Sequence, residues 1–271
     1  MSFEAHPTAI IEDTSTIGDG TRIGPYAIIE PGARIGTDCE ISAHAIIKKN
    51  VVMGDRCRVA EHAVLGGDPQ DLAFHPEINS QVVIGNDNVF REFVTLHRGT
   101  GEGTETRVGN QNFLMAGAHL GHNVSIGDHC ILANNVLLAG HVRFGSQIVV
   151  GGATVFHQFV RVGDLAMIQG LSKFGQDILP GAMAAEYNGI AGLNHVGLRR
   201  AGFEKAARES IREVYELFFH RGFSPKQFLE AVADRELPAP AAQVRAFVQA
   251  GSKRGYCRFI RASEFKGRGK E

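Results

Sequence analysis

The chain of 271 residues contains no tryptophan, only 9 prolines and 4 cysteines, and no apolar run approaching the roughly 20 residues that span a bilayer. Stable membrane insertion is therefore not expected. The cysteines at 39, 57, 130 and 257 form no Cys-x-x-Cys pair and are too few to staple a chain of this length, so reduced, structural thiols are expected. The stretch from Met1 to Pro7 has neither the basic nor the apolar region of a secretion signal, which points to the cytoplasm. A charge excess is missing too: 28 Lys and Arg stand against 29 Asp and Glu, a net charge of −1. A duplex nucleic-acid binder, which must neutralise phosphates, is disfavoured by that balance. There is no Gly-x-x-x-x-Gly-Lys phosphate loop, no serine elbow and no acidic nucleophile pair, so covalent catalysis is not expected.

What the sequence has in quantity is glycine, 33 residues, as a chain of repeated tight corners would need. An aliphatic residue recurs every six positions from Ile11 through Ile17, Ile23, Ile29, Ile35, Ile41, Ile47, Met53 and Val59 to Leu65. The register then slips by one, to Ile84, continues through Phe90 and Leu96, and resumes from Val108 to Phe174. Small residues such as Ala27, Ala33, Cys39 and Cys57 stand two places before the aliphatic ones. Six residues advance an α-helix by about 600°, which scatters such side chains around it, so a helix is excluded. Each hexapeptide instead supplies one short strand and one corner, and three sides make an 18-residue triangular coil. Stacked coils pair their strands in parallel at about 4.8 Å. This pattern predicts a β-solenoid with Cys39 and Cys57 as core filler and His44 directly over His62.

Segments 66–83 and 97–107 leave the repeat and are the expected carriers of binding groups. Beyond about residue 200 the period becomes helical, with Ile211, Val214, Tyr215 and Phe218 on one face. Ser224-Pro225 opens a second helix carrying Phe228, Leu229 and Val232, and a third runs from about Ala241 to Val248. The expected division is a solenoid over 1–192 and a helical domain with a basic tail over 193–271. From Lys253 onward seven Lys or Arg oppose two Glu, which suits either a solvated terminus or a docking patch for an acidic partner.

With an 18-residue ruler, His122, His141 and His157 fall within two places of one coil position and line one edge across three successive coils, with His119 beside them. Such an edge spans roughly 10 Å, the size of a substrate cleft. Two chemistries suit it: a neutral imidazole acting as general base, or a metal site shared between coils or subunits.

These residues, read with Gly66-Gly67-Asp68-Pro69-Gln70-Asp71-Leu72, Leu96-His97-Arg98-Gly99-Thr100, Ala139-Gly140-His141-Val142, His157-Gln158-Phe159, Gly192-Leu193-Asn194 and Gly197-Leu198-Arg199-Arg200, resemble the UDP-N-acetylglucosamine O-acyltransferases, the first enzymes of lipid A biosynthesis, over nearly the whole chain. The resemblance implies a left-handed parallel β-helix followed by a C-terminal helical domain, assembled as a homotrimer with sites between subunits. It implies that His122 is the general base for the sugar 3-hydroxyl and that the Gly140 N–H holds the oxyanion. Asp71 and His119 would orient the glucosamine ring, His141, His157 and Gln158 would contact sugar and diphosphate, and Asn194 and Arg200 would hold the nucleotide. Gly170 matches the position that limits acyl length. The donor would be acyl carrier protein with its phosphopantetheine arm, and neither a resident cofactor nor a metal is expected.

The sequence departs from the family pattern at Asn123, where Asp is frequent, at Ala73 for Lys, at Ala201 for Arg, and over Ala184 to Asn188; Gln169 and Leu171 also differ. Asn123 motivates two alternatives, a non-catalytic paralogue or one whose sugar carries a 3-amine. The sibling N-acyltransferase is disfavoured because the repeat opens by residue 11, and a zinc-dependent γ-type carbonic anhydrase because His119 and His122 have only two residues between them.

Overall fold

A computed structural model describes residues 3–260. Short strands, mostly of two residues, build three parallel sheets that run the length of a triangular solenoid. Arg22–Ile23 lies on the first face, Ile28–Ile29 on the second and Arg34–Ile35 on the third, and each pairs with the strand 18 residues on: Ile23 with Ile41, Ile29 with Ile47, Ile35 with Met53. Backbone groups that a lone strand would expose are thereby satisfied by the coils above and below. The inward aliphatic column and the small residues at the corners, among them Ala27, Ala33, Cys39 and Cys57, are buried as the repeat predicts. All four cysteines are buried and free.

Most corners are tight turns whose third residue adopts a left-handed conformation. In Gly24-Pro25-Tyr26-Ala27 the Ala27 N–H reaches the Gly24 carbonyl at 3.4 Å and Tyr26 has φ 57°. A type II turn requires that positive φ, normally a glycine position. Non-glycine residues fill it at corner after corner, including His44, His62, Asn123, His141 and Phe159, because the sheet hydrogen bonds on both sides outweigh a cost of about 1–2 kcal/mol. Equivalent residues stand one coil apart, so their rings stack. Tyr26, His44, His62 and Phe93 form a continuous ladder with centroids 5.1, 5.0 and 5.2 Å apart, placing His44 over His62 as expected and extending the column at both ends.

The apparent one-residue slip after Leu65 does not exist in the structure. Leu65 pairs with Leu96 on the second face, and Ile84 pairs with Met53 on the third, so Leu65 and Ile84 belong to different faces. That coil is 31 residues long and the next 24, and pairing resumes after each. The excursions are also shorter than the sequence suggests. Strands Val64–Gly67 and Gln81–Ile84 bracket the first, and Thr95–His97 and Glu105–Val108 the second, leaving 68–80 and 98–104 outside the sheets. Gly67 pairs with His97 past a bulge at Gly66, and 105–107 pair with 81–83, so these residues complete the ladders instead of joining the excursions.

Ala182–Ala185 adds a last parallel strand to the first sheet, Gly189–Leu193 turns back antiparallel along it, and the helices follow: α1 (His195–Arg200), α2 (Lys205–Tyr215), α3 (Pro225–Ala231) and α4 (Ala239–Gln249). Helix thus begins at His195, earlier than the periodicity predicts, because Asn194 caps it: its Oδ1 accepts the Gly197 N–H at 2.9 Å. At Ser224 the predicted start is a full capping box with Gln227. The helices lie against the final coils, with the Tyr215 hydroxyl donating to the Pro180 carbonyl at 2.8 Å and Phe247 under the Arg161 guanidinium. Arg258–Phe259 then rejoins the first sheet beside Gly189 and Ile190, so this region is not purely helical. Of the basic tail, Arg261 to Lys270 lie outside the described residues. Among the described residues no helix is long and apolar enough to cross a membrane.

Candidate active site

The edge between the second and third faces concentrates the chemistry. Both excursions, 68–80 and 98–104, leave the solenoid there, and the next coils place His122 and Asn123, then Gly140 and His141, then Gln158 and Phe159 at the same corner. The three histidines of the edge do not overlie one another. His141 stands in the left-handed position above Asn123 and below Phe159, its ring stacked on Phe159 at 4.7 Å and set edge-on to His122 at 5.0 Å. His157 lies two residues earlier in its turn, exposed, with Nδ1 3.3 Å from the Gln158 carbonyl.

His122 is held at one nitrogen. Its Nδ1 is 3.0 Å from Asn123 Oδ1, an oxygen that can only accept, so Nδ1 carries the proton of the neutral ring and Nε2 presents a lone pair. The ring lies flat against Gly140: a Cβ there would come within 2.4 Å of both Cε1 and Nε2. Among the described residues nothing accepts the Gly140 N–H. The equivalent N–H groups of residues 122 and 158 are free as well, so the distinctive feature at 140 is a free donor at a residue with no side chain, next to an imidazole lone pair.

His119 points outward from the second face, three residues before His122. Thr95 Oγ1 holds its Nδ1 at 2.9 Å, and His97 lies 5.0 Å away ring to ring. Burial, then the His97 charge, lowers its pKa to about 4. His141 is lowered as well, first by burial and then by His122, Arg143 and Lys253. A cavity of about 510 Å³ opens beside it between Arg143, Phe159, Arg161 and Lys253. Arg161 is already paired with Asp177 at 2.8 Å, which leaves Arg143 and Lys253 as its outward positive charges.

Asp71 sits on the 68–80 excursion, exposed, with Oδ1 taking the Ala73 N–H at 3.0 Å. A residue the sequence reading had no role for anchors that loop. Arg98, almost fully buried, pairs with Asp68 at 2.8 Å, donates to the Pro76 carbonyl at 2.8 Å and to that of Ile78, and lies under Phe74. The other expected site residues lie off this edge. Gly170 is at the corner between the first and second faces, where a Cβ would meet the Gly152 carbonyl at 3.0 Å. Asn194 spends both ends of its amide within the fold, on the α1 cap and on the Leu165 carbonyl at 2.8 Å. Arg200 is exposed at the end of α1. Among the described residues no group of three or more His, Cys, Asp or Glu is placed to hold a metal ion.

Two family descriptions match the sequence: the bacterial transferase hexapeptide, over residues 14–49 and 105–140, and the second domain of UDP-N-acetylglucosamine O-acyltransferase, over 177–257. The chain is 44% identical over 231 residues to the acyl-[acyl-carrier-protein]--UDP-N-acetylglucosamine O-acyltransferase of Neisseria gonorrhoeae, covering 84% of this chain and 88% of that one. Its fold resembles that of the UDP-N-acetylglucosamine acyltransferase from Campylobacter jejuni, with a TM-score of 0.87 and 36% identity over 95% of this chain and 100% of that one. The Francisella novicida UDP-N-acetylglucosamine acyltransferase is similar at a TM-score of 0.86 and 32% identity, over 96% and 95% of the two chains.

Proposed function

Since the chain belongs to the UDP-N-acetylglucosamine O-acyltransferase family, we propose that its histidine corner performs the transfer with His122 as general base. The protein is an acyltransferase of lipid A biosynthesis, moving an acyl group from acyl carrier protein to UDP-N-acetylglucosamine. In the proposed step, His122 Nε2 takes the proton of the sugar 3-hydroxyl as that oxygen attacks the thioester carbonyl. The tetrahedral oxyanion accepts the unused Gly140 N–H. Collapse breaks the carbon–sulfur bond, and the departing phosphopantetheine thiolate recovers the proton from His122. The observation that carries this assignment is the bare Nε2 lone pair lying against Gly140 while Nδ1 is held by Asn123.

Asp71 and His119 are assigned to the glucosamine ring, His141, His157 and Gln158 to sugar and diphosphate, and Asn194 and Arg200 to the nucleotide. Gly170 is assigned to acyl length. Because Gly170, Asn194 and Arg200 lie off the histidine edge of their own chain, these roles call for a neighbouring copy. A homotrimer is supported by a second observation: the edge between the first and second faces carries the Tyr26 to Phe93 ladder and, in later coils, the outward apolar residues Ile131, Val149 and Met167 on its first-face side and Leu137 on its second-face side, 37 to 45% exposed. An apolar strip of this length suits an axis shared by identical subunits. The family resemblance also assigns the coils a left-handed winding, and the Met1 to Pro7 stretch favours a cytoplasmic location.

A neutral Asn123 favours one second reading, an acceptor with a 3-amine, since an amine attacks without prior deprotonation and asks less of an imidazolium. Acyl transfer assayed on both sugars, with His122→Ala as control, tests both readings. Ester product that vanishes in the variant is expected. Undiminished product in the variant overturns the base assignment, and product from the amino sugar alone overturns the hydroxyl acceptor.

A further inference from the structure

The excursion at 98–104 reaches the base through one side chain. Asn123 Oδ1, besides facing His122 Nδ1 at 3.0 Å, accepts the Thr100 backbone N–H at 3.1 Å and the Thr100 hydroxyl at 2.9 Å. An amide has two unlike ends. If Nδ2 rather than Oδ1 faced the imidazole, it would donate to Nδ1, the ring proton would move to Nε2, and no lone pair would remain to take a proton from an acceptor. An aspartate has no wrong end, so an asparagine at this place creates a need that an aspartate would not.

From this geometry we infer that Thr100 is a positioning residue that fixes the Asn123 amide oxygen-inward and thereby sets the reactive tautomer of His122, resting on the base assignment above. A backbone N–H can only donate, so it biases the amide towards the oxygen-inward orientation without by itself fixing it. The hydroxyl adds a second donor to the same oxygen. The loop that carries Thr100 is itself held on both sides. Arg98 is anchored to Asp68 and to two carbonyls of the neighbouring excursion, and Ser80 Oγ donates to the Gly99 carbonyl at 2.6 Å. On the far side Thr104 Oγ1 accepts the Gly101 N–H at 3.1 Å and donates to the Gly101 carbonyl at 2.7 Å. A Cβ on Gly99 would lie 2.2 Å from Thr104 Oγ1, which shows how closely this turn is drawn in. The two interruptions of the solenoid thus brace each other, and Thr100 delivers their rigidity to the base of the following coil.

The test compares Thr100→Val, which removes the hydroxyl and keeps the N–H, with Thr100→Ser, which keeps both donors, each in the native and the Asn123→Asp backgrounds. Expected for Thr100→Val is a fall in kcat of about tenfold, the worth of one hydrogen bond, with KM unchanged. The ¹⁵N spectrum of His122 should shift from a single Nδ1-protonated form to a mixture. Thr100→Ser should stay within roughly threefold of the native rate, and in the Asn123→Asp background Thr100→Val should lose no more than that. An unchanged kcat and unchanged tautomer in Thr100→Val, or an equal loss in both backgrounds, overturns the inference. Should Thr100→Val fail to fold, Thr100→Ala is read against Thr100→Ser on the same two measures. His122→Gln, run alongside, separates the two levels: if it retains activity the base assignment falls, and if it is inactive while Thr100→Val is unaffected only the role of Thr100 falls.

Discussion

Replacing Gly140 by alanine isolates the contact on which the proposed chemistry depends. The new methyl would sit 2.4 Å from His122 Cε1 and Nε2 and 3.0 Å from Nδ1, whereas ordinary contact begins near 3.4 Å. The imidazole must therefore withdraw by about 1 Å, which stretches its 3.0 Å contact with Asn123 beyond hydrogen-bonding range. A misplacement of that size costs about 10²-fold, and complete loss of a general base about 10² to 10⁴-fold. Gly140 is not among the residues with positive φ, so the substitution brings no backbone strain, and the ring can swing outward instead of distorting the coil. The expected result is a kcat about 10²-fold or more below native, with KM little changed and the melting temperature within about 4 °C of native. Steady-state kinetics with acyl carrier protein as donor, paired with thermal unfolding, measures both. A kcat within roughly threefold of native, with His122→Ala inactive in the same assay, would refute the reasoning, because the ring would then not need this seat.

Three further outcomes follow from the packing and the titration. Arg98→Met removes the donor that ties Asp68, Pro76 and Ile78 together; loss of about 1–3 kcal/mol is expected, and limited proteolysis should cut within 68–80 while sparing the coils. Leu132→Ala opens a void in a fully buried column and should cost about 2–5 kcal/mol in urea unfolding without moving KM. His119, held at a pKa of about 4 against an ordinary 6.5, resists in the folded state a proton that the unfolded chain accepts. Its contribution to stability is complete above pH 6.5 and is lost as pH falls towards 4, so native protein should lose melting temperature faster across that window than His119→Gln, and parallel curves would refute this.

The solenoid was legible because its period is strict: a side chain every sixth residue can face inward only if each strand is followed by an identical corner. Cys39, Cys57 and the His44–His62 stack follow from the same count. The count failed after Leu65, since spacing alone cannot tell which of three faces an aliphatic residue occupies; pairing of Ile84 with Met53 settles it. Spacing also brings His122, His141 and His157 to one edge, and the count of 18 sets His141 over Asn123 rather than His122, but no count tells that the His122 ring is the one that meets Gly140. Thr100 and Arg98 were visible as parts of a motif, yet their roles lie in contacts 23 and 30 residues distant, outside any periodicity. Asn194 looked like a ligand-binding residue by resemblance, and in the fold its amide serves as a helix cap.

The two long coils, 31 and 24 residues where most of the others have 18, have a consequence for how such a protein changes. Length added at a corner is absorbed outside the prism, and every later strand finds its partner as though nothing had been inserted. The excursions are therefore interchangeable cassettes on a fixed rack: one can lengthen, shorten or be swapped while the spacing of His122, Gly140 and Gln158 stays at one coil rise. Only the neighbouring cassette, braced through Arg98, and the base that Thr100 touches would register the exchange.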